Sequence, residues 1–476
     1  MVVEHTERQS SFSDPSAQPL TYLAAIRLQQ IRDHDLEPMV REKATLCLID
    51  YLGALISGLS SPWSSSLLQW AKISCPGGGS AQVIGLPELV SAETAAFANA
   101  SIAHSIIRDD MHLSAGSHIG VMVIPAAIAF AQRDNWNGEQ LLKAIVAGYE
   151  MAELLGSSLR ASGTCNPHFR PSGIIGAFAA AGAGIAGSSD LRLTTMTAAS
   201  ALGFAANMAA GLNEWPWAGG MEINTHMGAA SRNGVTSYDL AHVGMCSSDT
   251  ILEGKDGMFQ AYTTSTTEAC SWFRRWLSTS DVGTGIMGAK FKPVAGCNFV
   301  QTPVATAMRM HGKLKGSANL IENVKIITTT AAKEYPGCDY IGPFHKVQQT
   351  KMSLQYAVSA AILFGRVDEH LYQQYANTTL HQVIQRCEIE ANTTFDEHLT
   401  SGRQPCKIEI RLKNGEFISD SLPDVPWLEG HVAVETRFKE EAGTVYGAET
   451  ARIIIDECQS LGQSAATCSK LLARLA

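Results

Sequence analysis

The sequence predicts a mainly α-helical protein with a smaller α+β unit inserted into a large helical body. Three observations predict it. From about residue 20 to 275, apolar residues recur at helical spacing in segments rich in Ala and Gly. From about 285 to 425, β-branched and alternating stretches lie between shorter helical ones. After about 430 the helical spacing returns, so the last helices are expected to rejoin the first part.

In chain order, "VREKATLCLIDYLGALISGL", "AETAAFANASIAHSII", "VMVIPAAIAFAQRD" and "GEQLLKAIVAGYEMAELLGSSL" read as helices. The small-residue stretch 173–212 follows, and Ser188, Ser189, Asp190 and Arg192 divide it into two helices. Small side chains let helix axes approach closely, so this block should be tightly packed. "NVKIITTTA" and "CKIEIRLKNGEFISDSLP" read as strands, the latter folded at Asn414-Gly415. "VQTPVATAMRMHGKL" and "KMSLQYAVSAAILFGR" are helices between them, and "ETARIIIDECQSL" and "AATCSKLLARLA" close the chain. The expected organisation is a polar leader (1–19), a helical domain (20–284), an α+β domain (285–425) and a helical return (426–476).

The chain has 476 residues, 45% of them hydrophobic and 17% charged, which is enough material for a large core. Its formal net charge is −9 with no basic stripe, which gives nucleic-acid binding no support. No uninterrupted apolar run reaches the ~18 residues of a membrane span. The eleven cysteines form no CxxC pair and no zinc-like Cys/His spacing, so reduced thiols in a cytoplasmic or other reduced compartment are expected, with no metal. No P-loop, GxSxG or dinucleotide-binding glycine pattern stands in the right context, so no nucleotide cofactor is expected.

"RDDMHLSAGSHIG", residues 108–120, sets five titratable groups between apolar segments. Buried carboxylates and imidazoles are costly unless paired. Asp109, Asp110, His112 and His118 should therefore pair with one another, with cations or with a ligand; the alternative is a loop whose charges face water. In "CNPHFRPSGIIGAF", His168 and Arg170 precede a helix start that Ser172 could cap, and an arginine there can clamp a carboxylate. "NEWPWAGGMEINTHMGAASRNGV" carries Glu222, His226 and Arg232, and "AKFKPVAGCNFVQTP" carries Lys292 and Cys297. Each of these also reads as an ordinary helix start or structural thiol.

Taken in order, "REKATLCLIDYLGALISG", "AHSIIRDDMH…SH", "GIIGAFAAA", "HMGAASRNGV", "KFKPVAGC" and "KMSLQYAVSAAIL" resemble the MmgE/PrpD family across about 20–470. That family contains 2-methylcitrate dehydratases, cis-aconitate decarboxylases and an iminodisuccinate epimerase. The resemblance implies a helical domain with an α+β lid, a homodimer, a site between the two domains, no cofactor, and a small polycarboxylic acid as substrate. It places Asp109, Asp110 and His118 at the family's acidic and histidine positions, retains Arg232 and Lys292, and puts Tyr356 in the matching lid helix. Several positions depart. Ile107 stands where the family usually has a further Asp, Arg170 at the decarboxylases' histidine, Ile223 at a lysine, and Cys297 at a lid histidine of the animal decarboxylases. A guanidinium does not titrate as an imidazole does, so Arg170 binds rather than transfers protons.

The expectation is a lyase, a dehydratase or decarboxylase. Arg170, Arg232 and Lys292 bind carboxylates, an aspartate orients His118, and His118 moves the proton. An epimerase that reprotonates the same carbanion on its other face, with His168, His226 or Cys297 as second acid, is the alternative. A family member without catalysis, used as a binding or scaffold protein, is the third reading.

Overall fold

The computed structural model describes residues 18–475 apart from 162, 164, 191, 315–317, 400 and 464, so most of the expected leader lies outside the described residues. Its helical part is built around Pro171–Gly187. Every residue of that helix from Ser172 onward is buried, against Gly138–Arg160, Glu222–His242, Gly120–Asp134 and Thr195–Asn207. The small residues that the sequence supplies make this possible. At Gly234 a Cβ would sit 2.3 Å from the Ala180 Cβ, so any side chain there would push the two helices apart.

The polar break at 188–192 separates two helices, Pro171–Gly187 and Thr195–Asn207. "KMSLQYAVSAAILFGR" is not one helix. Val347–Met352 and Leu354–Phe364 meet at Ser353, whose extended backbone ends the first and whose hydroxyl accepts the Tyr356 N–H at 3.0 Å to cap the second. "AETAAFANASIAHSII" likewise stops early, at Ala103, and the chain turns at His104.

The four-stranded sheet runs in the order Cys387–Ala391, Ile321–Thr328, Cys406–Leu412, Phe417–Leu422, the first pair parallel and the others antiparallel. Ile326 stands opposite both Ile389 and Ile408. Alternate residues Cys406, Ile408, Ile410 and Leu412 are buried, the period-two pattern of a sheet with one covered face. Helices Gln301–Leu314 and Leu354–Phe364 pack on the sheet. The hairpin tip does hold Asn414-Gly415, but as a longer loop: the Leu412 N–H donates to the Glu416 carbonyl at 2.8 Å, and only Gly415 takes the left-handed conformation.

The buried apolar side chains form two clusters. One runs from Leu20 to Phe291 and resumes at Val434–Leu475; helix Gly430–Tyr446 lies on Pro38–Gly58. The other gathers the α+β segment from Cys297 to Ile418, together with Ile107, Trp215 and Ile223 from the helical body. Those last three mark where the two units meet.

A buried ion network pins that junction. Arg108 donates to the Asp50 carboxylate at 2.8 Å and to Glu441 at 3.0 Å, and Arg437 reaches both Asp50 and the Lys292 carbonyl. Removing one partner of a buried ion set leaves the others uncompensated, at a cost of about 3–5 kcal/mol. Arg108→Met should therefore lower the unfolding free energy measured in urea by about 3–5 kcal/mol; an unchanged free energy would show that the network does not hold the fold.

Candidate active site

Turn 104–110, between helices Ala92–Ala103 and Gly120–Asp134, is where the charges of the "RDDMH" stretch are sorted. Ile107 has φ +54°, a conformation that a β-branched residue rarely takes. Two buried lysines hold the turn from the α+β side. Lys292 Nζ donates to the Ile107 carbonyl at 2.9 Å, and Lys351 Nζ donates to the Ser105 carbonyl at 2.7 Å while pairing with Glu369 at 2.7 Å.

This geometry brings Asp109 between two imidazoles. Its Oδ1 accepts from His104 Nδ1 at 2.8 Å. Its Oδ2 lies 3.1 Å from His118 Nδ1. The His118 Nδ1–H is better aligned with the Asp110 carbonyl, 2.9 Å away, and among the described residues Asp109 Oδ2 has no well-aligned donor of its own. With acceptors on that side, the proton belongs on Nδ1 and the Nε2 lone pair is left free. His104 is used on both sides, because its Nε2 accepts Arg170 Nη2 at 2.7 Å. Exposure separates the two rings: the His118 side chain is 12% exposed, His104 0% and Asp109 1%, so His118 is the ring that a ligand can meet.

Asp110 plays a different part. Its carboxylate accepts the Gly120 N–H at 3.0 Å, at the start of helix Gly120–Asp134, and the Tyr149 hydroxyl at 2.6 Å. Burial pushes this carboxyl up to about 7. His112 is structural: its Nε2 bonds the Gly285 carbonyl at 2.8 Å, and burial pushes it down to about 4. Ser172 does not cap its helix; its hydroxyl accepts the His118 N–H at 3.2 Å.

Arg170 is itself the N-cap residue of Pro171–Gly187 and is buried. Besides His104 it donates to the Ile223 carbonyl at 2.6 Å, and its guanidinium lies 5.4 Å from the centre of the Trp215 ring. Ile223, where the resemblance implies a lysine, thus offers its carbonyl to hold the arginine. Burial lowers Arg170 to about 10 and lowers Lys292, with Asp109 opposing both shifts. Burial would raise the Asp109 carboxyl, but the two imidazoles and Lys292 more than offset it and hold the group well below the usual range. Burial, then Lys292, pushes His118 below its ordinary value, with Asp109 opposing.

Cys297 completes one wall. Its Sγ lies 3.9 Å from Cys338 Sγ, and the charges of Lys292 and Arg170 act on it. Tyr335, its ring tilted against Phe299, is close enough to Arg170 and Cys297 to feel both charges. Burial and then Arg170 lower His226 to about 4, and its Nδ1 has no hydrogen-bond partner among the described residues.

Four expected site residues are elsewhere. Tyr356 is buried in the α+β core, its hydroxyl spent on the Leu371 carbonyl at 2.7 Å, so the tyrosine that faces the cluster is Tyr335. Arg232 sits over the Phe97 ring at 5.3 Å, about two turns before His104. His168 is exposed in the loop before Arg170, and Glu222 is exposed at the start of its helix, folded back over Gly220. Sequence reasoning missed His104, Tyr335, Lys351 and Cys338. Only His104 left a signal, as an imidazole inside the apolar "FANASIAHSII". Among the described residues, no three His, Cys, Asp or Glu side chains are grouped to hold a metal ion.

A helical body joined to an α+β unit, with an imidazole–carboxylate–cation cluster where they meet, defines a class of two-part proteins suited to acid–base chemistry. The MmgE/PrpD N-terminal domain profile matches residues 22–270 and the MmgE/PrpD C-terminal domain profile matches 295–461. The chain belongs to the MmgE/PrpD family. It is 24% identical over 413 residues to a cis-aconitate decarboxylase of Aspergillus terreus and 27% identical over 413 residues to a second A. terreus protein of that name, covering 82% of this chain and 81% of the relative in each case. It is 23% identical over 468 residues to a cis-aconitate decarboxylase-like protein of Aspergillus oryzae, covering 93% and 94%. No described helix is long and apolar enough to cross a membrane.

Replacing Asp109 by Asn removes the anion that favours protonated His118. In histidine NMR spectra, assigned by comparison with His118→Ala, the His118 titration should move to still lower pH; an unmoved or raised titration would show that the carboxylate does not act on this ring.

Proposed function

We propose that the protein is a lyase that removes CO2 from a small unsaturated polycarboxylic acid of the cis-aconitate kind, with His118 as the proton donor. The observation that carries this reading is the Asp109-bridged pair of imidazoles beside the buried Arg170 and Lys292. The names of the Aspergillus relatives support it.

Arg170 and Lys292 supply the positive charge that a polycarboxylate needs in a buried site. Cleavage of the carbon–carboxyl bond releases CO2 and leaves its electron pair on the substrate, where conjugation carries it into a neighbouring carboxylate. The same cations stabilise that charge. The carbon then takes a proton from His118 Nε2, while Asp109 and the Asp110 carbonyl fix the ring and its tautomer. Substrate carboxylates raise the proton affinity of His118, so binding itself arms the acid.

The test is incubation with cis-aconitate and other C4–C8 polycarboxylates in D2O, read by mass spectrometry. A product lighter by CO2 and carrying one deuterium is expected. Retained mass with deuterium would identify an isomerase instead, and no turnover of any acid would favour a binding protein. His118→Ala should lower kcat by about 10²–10⁴-fold. Because His118 is held below its ordinary value of about 6.5, its acid form predominates only below that pH. kcat/KM should therefore already decline as pH rises through the acidic range below about 6.5; a kcat/KM that instead rises with pH across that range would mean that His118 works as a base. Arg170→Lys loses a charged hydrogen bond worth about 1.5–3 kcal/mol, so kcat/KM should fall about 10- to 100-fold. An unchanged kcat/KM would remove Arg170 from the binding site.

A further inference from the structure

We propose that Cys297 and Cys338 form a modification site, a buried dithiol beside Arg170 that hydroperoxides close to a disulfide, switching off the neighbouring acid–base cluster. Two observations carry it. The first is the direct contact, with Sγ atoms 3.9 Å apart on two separate segments of the α+β unit. The second is the setting. Cys297 stands where the chain enters the Asn298–Val300 turn and the Gln301–Leu314 helix, its N–H donates to the Lys351 carbonyl at 3.0 Å, and the charges of Lys292 and Arg170 act on its sulfur.

The two thiols are not equivalent. The hydrogen bond from Cys338 is the largest influence on Cys297 and favours its thiolate, and the two cations add to this. Burial pushes Cys338 well above its ordinary value. A thiolate next to cations is the nucleophile, and a protonated neighbour is suited to resolve what it forms. The chemistry balances. The Cys297 thiolate attacks the peroxide O–O bond, giving a sulfenic acid and releasing water or an alcohol. The Cys338 sulfur, giving up its proton, then attacks the Cys297 sulfur and expels a second water. Two thiols are oxidised, and one hydroperoxide is reduced.

Closure has a consequence at the cluster. The sulfurs must approach from 3.9 Å to about 2.05 Å, which draws Cys297 towards Cys338 and away from its place beside the cations. Gly296, the residue before Cys297, has its carbonyl 3.5 Å from Lys292 Nζ, so the same movement reaches the lysine that holds the Ile107 turn. This consequence rests on the functional reading given above; the cross-link itself does not.

The full chain, fully reduced, should be titrated with hydrogen peroxide, quenched with a denaturing alkylating agent and mapped by mass spectrometry without reduction. Exposed Cys246 serves as the internal comparison. The expected result is a Cys297–Cys338 cross-link formed at lower peroxide than modification of Cys246 and reversed by dithiothreitol. Phenylarsine oxide, which bridges paired thiols, should block it in the wild type and find no such site in Cys338→Ala. Recovery of both cysteines as alkylated thiols at doses that oxidise Cys246 would overturn the proposal. Turnover should fall in step with the cross-link and return on reduction. A cross-link that leaves turnover unchanged would overturn the switch. If no acid is turned over, the peptide map still decides whether the dithiol closes.

Discussion

The rest of the site depends on one buried carboxylate. Asp109 is almost fully buried, and an unpaired charge there would be untenable, so the fold surrounds it with two imidazoles and sets Lys292 and Arg170 beyond them. Each neighbour then has a reason to be where it is. His104 passes the influence of Asp109 to Arg170, so the arginine is oriented without a carboxylate of its own. His118 keeps one nitrogen occupied and the other free. The arrangement sets two cations, Arg170 and Lys292, against the carboxylate of Asp109 beside a free basic nitrogen, which suits an anionic substrate with a reacting carbon.

Holding that carboxylate in place costs backbone strain. The left-handed Ile107 is worth of order 1–2 kcal/mol against the fold. It persists because the turn is held from three directions, by Lys292, by Lys351, and by Arg108 through Asp50 and Glu441. Two of those tethers come from the α+β side of the junction and one runs through the C-terminal helix Gly430–Tyr446. The geometry of the cluster is therefore a property of both units together. The C-terminal helices belong to the helical body in their packing: Gly430–Tyr446 and Ala448–Gln459 bury their apolar faces in its core.

Much of this was legible in the sequence, for physical reasons that vary by residue. The helices and the sheet follow from periodicity, and the split at 188–192 from polar residues inside an Ala/Gly run. Asp109 and His118 stood out because titratable groups between apolar helices must be paired. The break at Ser353 was hidden, since serine inside an apolar repeat signals a cap only once the backbone turns. His104 was hidden for a related reason: it falls at the end of an apolar helix, and its five-residue spacing to Asp109 matches no regular element. Tyr335, Lys351 and Cys338 reach the site only through tertiary folding, and no local pattern marks them. Tyr356 and Arg232 were misplaced because helical position does not tell which neighbour a long side chain meets: one hydroxyl found a carbonyl in the core, and one guanidinium found the Phe97 ring.

The central claim is that Asp109 organises His118, Arg170 and Lys292 around one substrate. A crystal structure of the protein with a saturated, unreactive tricarboxylate bound tests it most directly. The account predicts carboxylates on Arg170 and Lys292, with a ligand carbon about 3–3.5 Å from His118 Nε2. A ligand seated in another cavity, or a His118 ring turned away from it, would contradict the account.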